Sequence, residues 1–150
     1  MQKIFLPLLL ILLCASPVLA SSETCGPLSM SLPPDWYVAD GPTHADDGMC
    51  YITVGSKDDT SAVTLGIGPK GHMTLEQHTD KVAKLLPARN PAQLVNGRYT
   101  FPFIQNGVNG NCTVSEDRDY FLFVCTFGQS KQADAVISTF QSKEYPALLH

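Results

Sequence analysis

The stretch YFLFVCTF, residues Tyr120–Phe127, decides the fold class of this 150-residue chain. Successive side chains of a β-strand point to opposite faces. One face here carries Tyr120, Leu122 and Val124, and the other carries Phe121, Phe123, Cys125 and Phe127. Because both faces are apolar, the strand must be covered on both sides. We therefore expect an α+β domain, with helices packed on the faces of a mostly antiparallel sheet.

Shorter extended segments before this strand predict further strands. The predicted segments are Leu28–Leu32, Trp36–Val38, residues 50–54, residues 63–67 and Tyr99–Ile104. Asn96-Gly97 is typical of a tight hairpin turn. The polar stretches Asp40–Gly48 and Gln105–Asn111 predict loops. Pro102 indicates a sheet edge or a strand end, because proline cannot donate a ladder hydrogen bond.

Two segments have helical periodicity, which gives the order strands, helix, strands, helix. Thr74 followed three residues later by Gln77 predicts a capping box. Apolar residues continue at helical spacing to Leu86 and stop before Pro87. Ser130 is the expected cap of a final helix, whose apolar face is Ala133, Val136, Ile137 and Phe140.

The first twenty residues predict an export signal. A single cation, Lys3, precedes the apolar run Ile4–Leu13, and Val18-Leu19-Ala20 places small residues at a signal peptidase site. Ten apolar residues are too few to cross a bilayer. The residues before Cys14 are leucines, a poor context for a lipoprotein signal. We therefore expect residues 1–20 to be removed, leaving residues 21–150 as one exported domain, periplasmic or secreted and with no transmembrane segment.

Cleavage at that site leaves an even number of cysteines, which indicates two disulfides in an exported chain. The four are Cys25, Cys50, Cys112 and Cys125. A hairpin centred between residues 118 and 119 puts Cys112 directly opposite Cys125, which leaves Cys25 to pair with Cys50. Neither pair forms a Cys-x-x-Cys motif, so we interpret both bridges as structural.

The composition argues against several classes of partner. Apolar residues make up 44% of the chain and charged residues 16%, as in an ordinary soluble globule. The formal charge of −4 becomes −5 when Lys3 is removed. The remaining cations are scattered, and without a basic stripe neither nucleic acid nor an anionic membrane surface is an expected partner. We expect no cofactor.

Catalytic signatures are missing from the sequence. It contains neither a Gly-x-Ser-x-Gly elbow nor a His-Glu-x-x-His motif. The loop with His44, Asp46 and Asp47 offers oxygen and nitrogen ligands but lacks a recognised metal spacing. The acidic pairs of the chain lie in turn-like segments, where turn chemistry explains them. A small envelope hydrolase using the loop acids and His44, or a metal- or small-ligand-binding protein, stays as an alternative.

Aromatic side chains are the remaining candidates for a binding site. Trp36, Tyr37, Tyr99 and Phe101, together with Phe103, are able to line a groove. At strand spacing the same residues are equally able to form the core, and both interpretations stay open.

The chain resembles the Mog1/PsbP-like superfamily and its bacterial DcrB-like members. The resemblance rests on Leu32-Pro33-Pro34-Asp35-Trp36, on Thr74-Leu75 at the start of the first helix, and on the closing Val136–Phe140, and it covers residues 28–141. It implies an α/β/α sandwich and a binding or accessory role without catalysis. The four cysteines and the glycine-rich segment before Cys112 depart from the family pattern, and no functional residue is carried over.

The sequence therefore favours a periplasmic, non-enzymatic binding or accessory module. Its expected partner is a protein of the cell envelope, recognised through a sheet edge or through the aromatic groove.

Overall fold

The computed structural model describes residues 20–150, which form nine strands, two α-helices and one 3-10 turn. The strands are β1 (Ser21–Cys25), β2 (Leu28–Leu32), β3 (Trp36–His44), β4 (Cys50–Ser56), β5 (Ser61–Pro69), β6 (Gln93–Val95), β7 (Arg98–Gln105), β8 (Val108–Glu116) and β9 (Tyr120–Gly128). The helices are α1 (Leu75–Leu85) and α2 (Ser130–Ile137), and the 3-10 turn is Pro146–Leu148. The predicted signal peptide and its apolar run lie outside the described residues.

Seven strands form one antiparallel sheet in the order β3-β4-β5-β9-β8-β7-β6. The strand that includes Tyr120–Phe127, β9, is the middle strand. Its position confirms the prediction drawn from its two apolar faces, since a central strand is the one most completely covered. Strands β1 and β2 form a separate hairpin.

The two faces of β9 belong to two cores. Leu122 and Val124 pack with β2 and with Ala133 and Val136 of α2. Phe121 and Cys125 belong to a second cluster that includes Val82 of α1. The helices therefore lie on opposite faces of the sheet, as the predicted arrangement requires.

Helix α1 begins as its sequence predicts. The Thr74 hydroxyl accepts a hydrogen bond from the backbone N–H of Gln77, and the Gln77 side chain accepts one from the backbone N–H of Thr74. This is a complete capping box. At the start of α2 the N-cap is Gln129, and Ser130 is the first helical residue, with no side-chain cap.

Aromatic rings lie flat over glycines of neighbouring strands on the α1 face of the sheet. Phe123 covers its cross-strand partner Gly66, and Phe103 covers its partner Gly110 in the same way. A Cβ added at either glycine would overlap the ring that covers it. The glycines leave the space that the two rings occupy, so the rings lie close to the backbone of the sheet.

Two predicted loops and one missed strand need correction. Asp40–Gly48 is not a loop throughout, because β3 continues to His44 with two register shifts and only residues 45–48 form a turn. Gln105–Asn111 contains a two-residue hairpin turn at Asn106-Gly107, where both residues have positive φ, and β8 starts at Val108. Strand β1 was not predicted because its sequence, SSETC, is mostly polar.

One of the two predicted disulfides is present. Cys25 of β1 and Cys50 of β4 are bonded. Cys112 and Cys125 occupy directly opposed positions on β8 and β9, as predicted, but their Sγ atoms are 2.6 Å apart and no bridge is formed. The Cys25–Cys50 bridge is therefore confirmed, whereas closure of the Cys112–Cys125 bridge stays a prediction. Register alone brings two thiols together, and the bond additionally requires their oxidation.

Candidate functional site

Helix α1 covers only part of its face of the sheet. It packs against β7, β8 and β9. The surface over β3, β4 and β5 stays partly open, and we call it the tyrosine face. Its residues are Tyr37, Tyr51, Thr53, Ala62 and Thr64.

The backbone pairing sets the spacing of these side chains. Thr53 and Thr64 are cross-strand partners, and their hydroxyl oxygens lie 2.9 Å apart. Tyr37 pairs with Gly55, where an added Cβ would lie 3.3 Å from the phenol ring. Tyr51 likewise lies close to Gly66. The two phenol rings therefore rest on backbone that carries no side chain.

Two clefts flank the threonine pair. One, of about 390 Å³, lies between Tyr37 and the β7–β8 turn and includes Thr53, Thr64 and Phe127. The other, of about 520 Å³, lies between Tyr51 and α1. Tyr51 and Thr53 are two residues apart on β4, so the clefts adjoin on the same face of the sheet, and neither is an enclosed cavity.

Most of the large apolar side chains exposed by the described residues line these clefts. They are Tyr37 at 42% exposed, Tyr51 at 38%, Leu85 at 81% and Val108 at 44%, leaving Leu94 and Val95 outside the clefts. Single exposed apolar residues need no explanation, but a cluster on one face is typical of an interaction site. Tyrosine is enriched in such sites because it combines a large apolar ring with a hydroxyl.

The α1 side of the second cleft is rigid. The ring of His78 stacks on Phe121 with centroids 3.8 Å apart, and its Nε2 lies 2.9 Å from the carbonyl oxygen of Lys70. The ammonium of Lys70 forms a 3.0 Å salt bridge with Glu116. None of these three contacts indicates a reacting group, so we interpret the residues that make them as structural parts of the cleft wall.

The electrostatics around Tyr51 keep its phenol neutral. Burial and the carboxylate of Asp47 raise the pKa of the Tyr51 hydroxyl above its ordinary value. A tyrosine hydroxyl already keeps its proton at neutral pH, and the raised pKa extends this to more alkaline solution. The hydroxyl is therefore available to donate a hydrogen bond to a bound molecule.

Both edges of the large sheet are poorly suited to strand addition. Edge strand β3 has register shifts between Val38 and Asp40 and between Asp40 and Thr43, and Pro42 removes one N–H. The opposite edge, β6, has only three residues. Bulges, proline and short length are the features by which natural sheets discourage edge pairing.

The structure does not bring the four aromatic residues of the predicted groove together. Trp36 is buried in the core on the α2 side, whereas Phe101 is buried in the core on the α1 side. Tyr99 is half-buried and lines neither cleft of the tyrosine face. Tyr37 alone reaches the open surface. Tyr51, missed by the sequence reasoning, lies between the inward-facing Cys50 and Ile52, and that alternation was the available signal.

The loop proposed for a hydrolase or a metal is a tight turn between β3 and β4. Met49 donates its backbone N–H to the Asp47 carboxylate, and Gly48 donates its own to the carbonyl of Ala45. His44 and Asp46 are exposed and line neither cleft. Within residues 20–150, no three His, Cys, Asp or Glu side chains cluster in a way that could hold a metal ion. Neither helix in that range has the length and apolar character needed to cross a bilayer.

Comparison with solved structures defines the fold. The chain is similar to cyanobacterial PsbP (CyanoP) from Synechocystis sp. PCC 6803 over 85% of this chain and 95% of that one, with a TM-score of 0.52 and 14% sequence identity. The chain has a PsbP-like fold. It is also similar to a Bacteroides thetaiotaomicron VPI-5482 protein over 77% of this chain and 45% of that one, with a TM-score of 0.48 and 14% identity. No family model matches the chain, and no curated protein matches it.

At this level of identity the PsbP-like likeness describes the fold, and the function has to be argued from the surface of this chain. The fold expected from the sequence resemblance is confirmed. Its open tyrosine face is the candidate site.

Proposed function

We propose that this chain is an exported, non-enzymatic binding module that holds a polypeptide segment of an envelope protein on its tyrosine face. The PsbP-like fold supports an accessory or binding role. The observation that carries the proposal is the exposure of Tyr37 and Tyr51 beside two adjoining clefts, on the part of the sheet face that α1 leaves open.

The two rings favour binding because they are already in place. Tyr37 rests on Gly55 and Tyr51 on Gly66, so little side-chain freedom is lost when a partner is ordered against them. The partly exposed Thr53 and Thr64 hydroxyls between them offer polar contacts. Adjoining open clefts of this kind suit an extended segment with alternating apolar and polar groups, which is the chemistry of a polypeptide.

The blunted edges favour one of the two modes of recognition that the sequence left open. Addition of a partner strand to β3 would meet two register shifts and Pro42. Side-chain recognition on the tyrosine face meets no such obstacle. The proposal therefore places the partner on the face and away from the edge.

Export is part of the proposal and is supported by two features. The first twenty residues have the pattern of a removable signal. The Cys25–Cys50 disulfide is of a kind that persists in oxidising compartments. In such a compartment the Cys112 and Cys125 thiols would lose two protons and pass two electrons to a disulfide oxidant, closing the second bridge.

Site-specific crosslinking tests the binding surface. A photoreactive benzoylphenylalanine at position 51 should capture the same envelope protein reproducibly in living cells. The matched control is the same group at Leu94, which is 59% exposed and lies at the β6 edge. Replacing Tyr37 by Ala should remove the adduct formed from position 51. Equal capture from both positions, or an adduct indifferent to Tyr37→Ala, would contradict the proposal.

Protein recovered from the cell envelope tests export. Its N-terminal residue should be Ser21, and its intact mass should lie about 4 Da below that of the fully reduced chain, one hydrogen for each of four sulfurs. A chain that starts at Met1 would overturn export. A deficit of about 2 Da would show that the second bridge stays open.

A further inference from the structure

A third cleft lies on the opposite face of the sheet from the tyrosine face. Helix α2 packs against β2, β5 and β9 there, and the C-terminal 3-10 turn packs against β8 and β9. Between these elements a cleft of about 250 Å³ remains over the outer strands, and Arg98 of β7 lines it. Its volume is below the roughly 300–1,000 Å³ of pockets that take drug-sized ligands.

Arg98 is half-buried, and the Nη2 atom of its guanidinium is buried without a hydrogen-bond partner among residues 20–150. Neither salt bridge among residues 20–150 involves it. Burial lowers the pKa of Arg98, but an arginine side chain stays charged in proteins. An unsatisfied buried donor on a charged group destabilises the empty protein, and an acceptor supplied by a ligand would remove that cost.

The walls of this cleft are polar on one side and apolar on the other. Thr113 lies opposite Thr100, two residues along β7 from Arg98, and its hydroxyl has a 3.5 Å contact with that of Thr100. Asn111 and Thr126 line the cleft further along the strands, and the Thr126 hydroxyl donates to the carbonyl of Asn111. The apolar side is made by Leu122, Val124, Ile137, Phe140, Leu148 and Leu149. An amphipathic ligand would match both sides.

The charge of the cleft selects the type of acid. Arg98 is the one cation of the lining, and Asp134 of α2 contributes a carboxylate to the same cleft. A phosphate, which carries between about one and two negative charges at neutral pH, would meet one cation and one repelling anion. A monocarboxylate balances the single guanidinium and matches its fork of parallel N–H donors.

We propose that this cleft binds a small monocarboxylate with an apolar body, its carboxylate on Arg98 and its body against Ile137, Leu148 and Leu149. The carboxylate accepts hydrogen bonds from the guanidinium. The hydroxyl of Thr113, whose cross-strand partner Thr100 is two residues from Arg98, is a further donor in the same lining. The cleft is separate from the tyrosine face and needs no envelope partner.

Titration of the mature chain with benzoate tests this site. Benzoate should bind and raise the melting temperature, whereas the neutral isostere benzamide and inorganic phosphate should not. Arg98→Gln should raise the benzoate Kd by about 10- to 100-fold, because one or two charge-assisted hydrogen bonds to the carboxylate are lost. Arg89→Gln, which removes the same charge from an exposed position, should leave the Kd unchanged.

A second readout separates binding from folding. Without ligand, Arg98→Gln should melt no lower than the parent chain, because it removes a buried guanidinium nitrogen that has no hydrogen-bond partner. Benzoate shifts in the NMR spectrum should centre on Thr113, Ile137 and Leu148. Absence of benzoate binding to the parent chain, equal binding by Arg98→Gln, or phosphate binding as strong as that of benzoate would each overturn the assignment.

Discussion

At the scale of single residues, the carboxylate of Asp58 organises the turn between β4 and β5. It accepts hydrogen bonds from the hydroxyls of Ser56 and Thr60, from the backbone N–H of Thr60, and from the side-chain amide of Gln132 on α2. The sequence predicted turn chemistry for the Asp58-Asp59 pair, which explains the local bonds. It gave no sign of the Gln132 contact, because residues 74 positions apart meet only once the sheet has formed.

We predict that Asp58 contributes to acid sensitivity. Its hydrogen bonds, first among them that from Ser56, lower the pKa of the carboxyl well below its ordinary value of 3.8. The contribution to stability is therefore present above about pH 4 and is lost as the pH falls towards the folded-state pKa. Asp58→Asn should melt lower at pH 7 and lose less stability on acidification. Asp59→Asn is the control, since asparagine tolerates the positive φ of that residue.

At the scale of elements, turns with a two-residue signal were predictable and polar edge strands were not. Asn96-Gly97 predicted the β6–β7 turn, and the same dipeptide at Asn106-Gly107 marked the β7–β8 turn but was read as a loop. The far part of β3 carries exposed polar residues because it lies at the sheet edge. No periodicity distinguishes such a strand from a loop.

Helix α1 provides a measurable element-scale prediction. Thr74→Ala removes the hydroxyl that accepts from the Gln77 N–H, and it should lower the free energy of unfolding by about 1 kcal/mol in urea. Thr74→Ser keeps that oxygen and should cost much less. Equal losses in both variants would mean that the methyl group of Thr74, and not its cap, matters.

The glycine beneath Phe123 provides a second one. Gly66→Ala should destabilise the sheet by about 1–3 kcal/mol, because the new methyl group overlaps the ring. Combining it with Phe123→Leu should restore part of the loss, which a double-mutant cycle would reveal. Strictly additive losses would show that the two positions do not interact.

At the scale of the whole molecule, the layered architecture followed from Tyr120–Phe127, whereas the binding surface did not. Two apolar faces require cover on both sides, and that requirement is met whichever loops connect the strands. Which part of the sheet stays open depends on where α1 ends. Helical spacing placed Leu85 on the apolar face of α1, but this side chain is exposed. Tyr37 was identified from the sequence as a candidate, whereas Tyr51 was not.

The Cys25–Cys50 bridge joins the small hairpin to the large sheet, and its loss should affect the whole domain. Replacing both cysteines by serine should lower the free energy of unfolding by about 3–3.5 kcal/mol, as expected for a loop of 25 residues. Serines at Cys112 and Cys125 provide the comparison. If a reducing agent lowers the free energy of unfolding of the parent chain by more than the Cys25/Cys50 double substitution does, the second bridge contributes to stability as well.

The backbone pairing of Ser29 with Gln141 sets the order in which the domain can mature. The two residues exchange N–H···O bonds of 2.9 and 2.8 Å, tying the first hairpin to the segment after α2. A nascent polypeptide therefore completes its tertiary structure only after residue 141 has left the ribosome. Until then Leu28 and Met30 lack their final packing. Chaperones recognise such incompletely packed chains. A translocation channel, which threads unfolded chains, would require the same state.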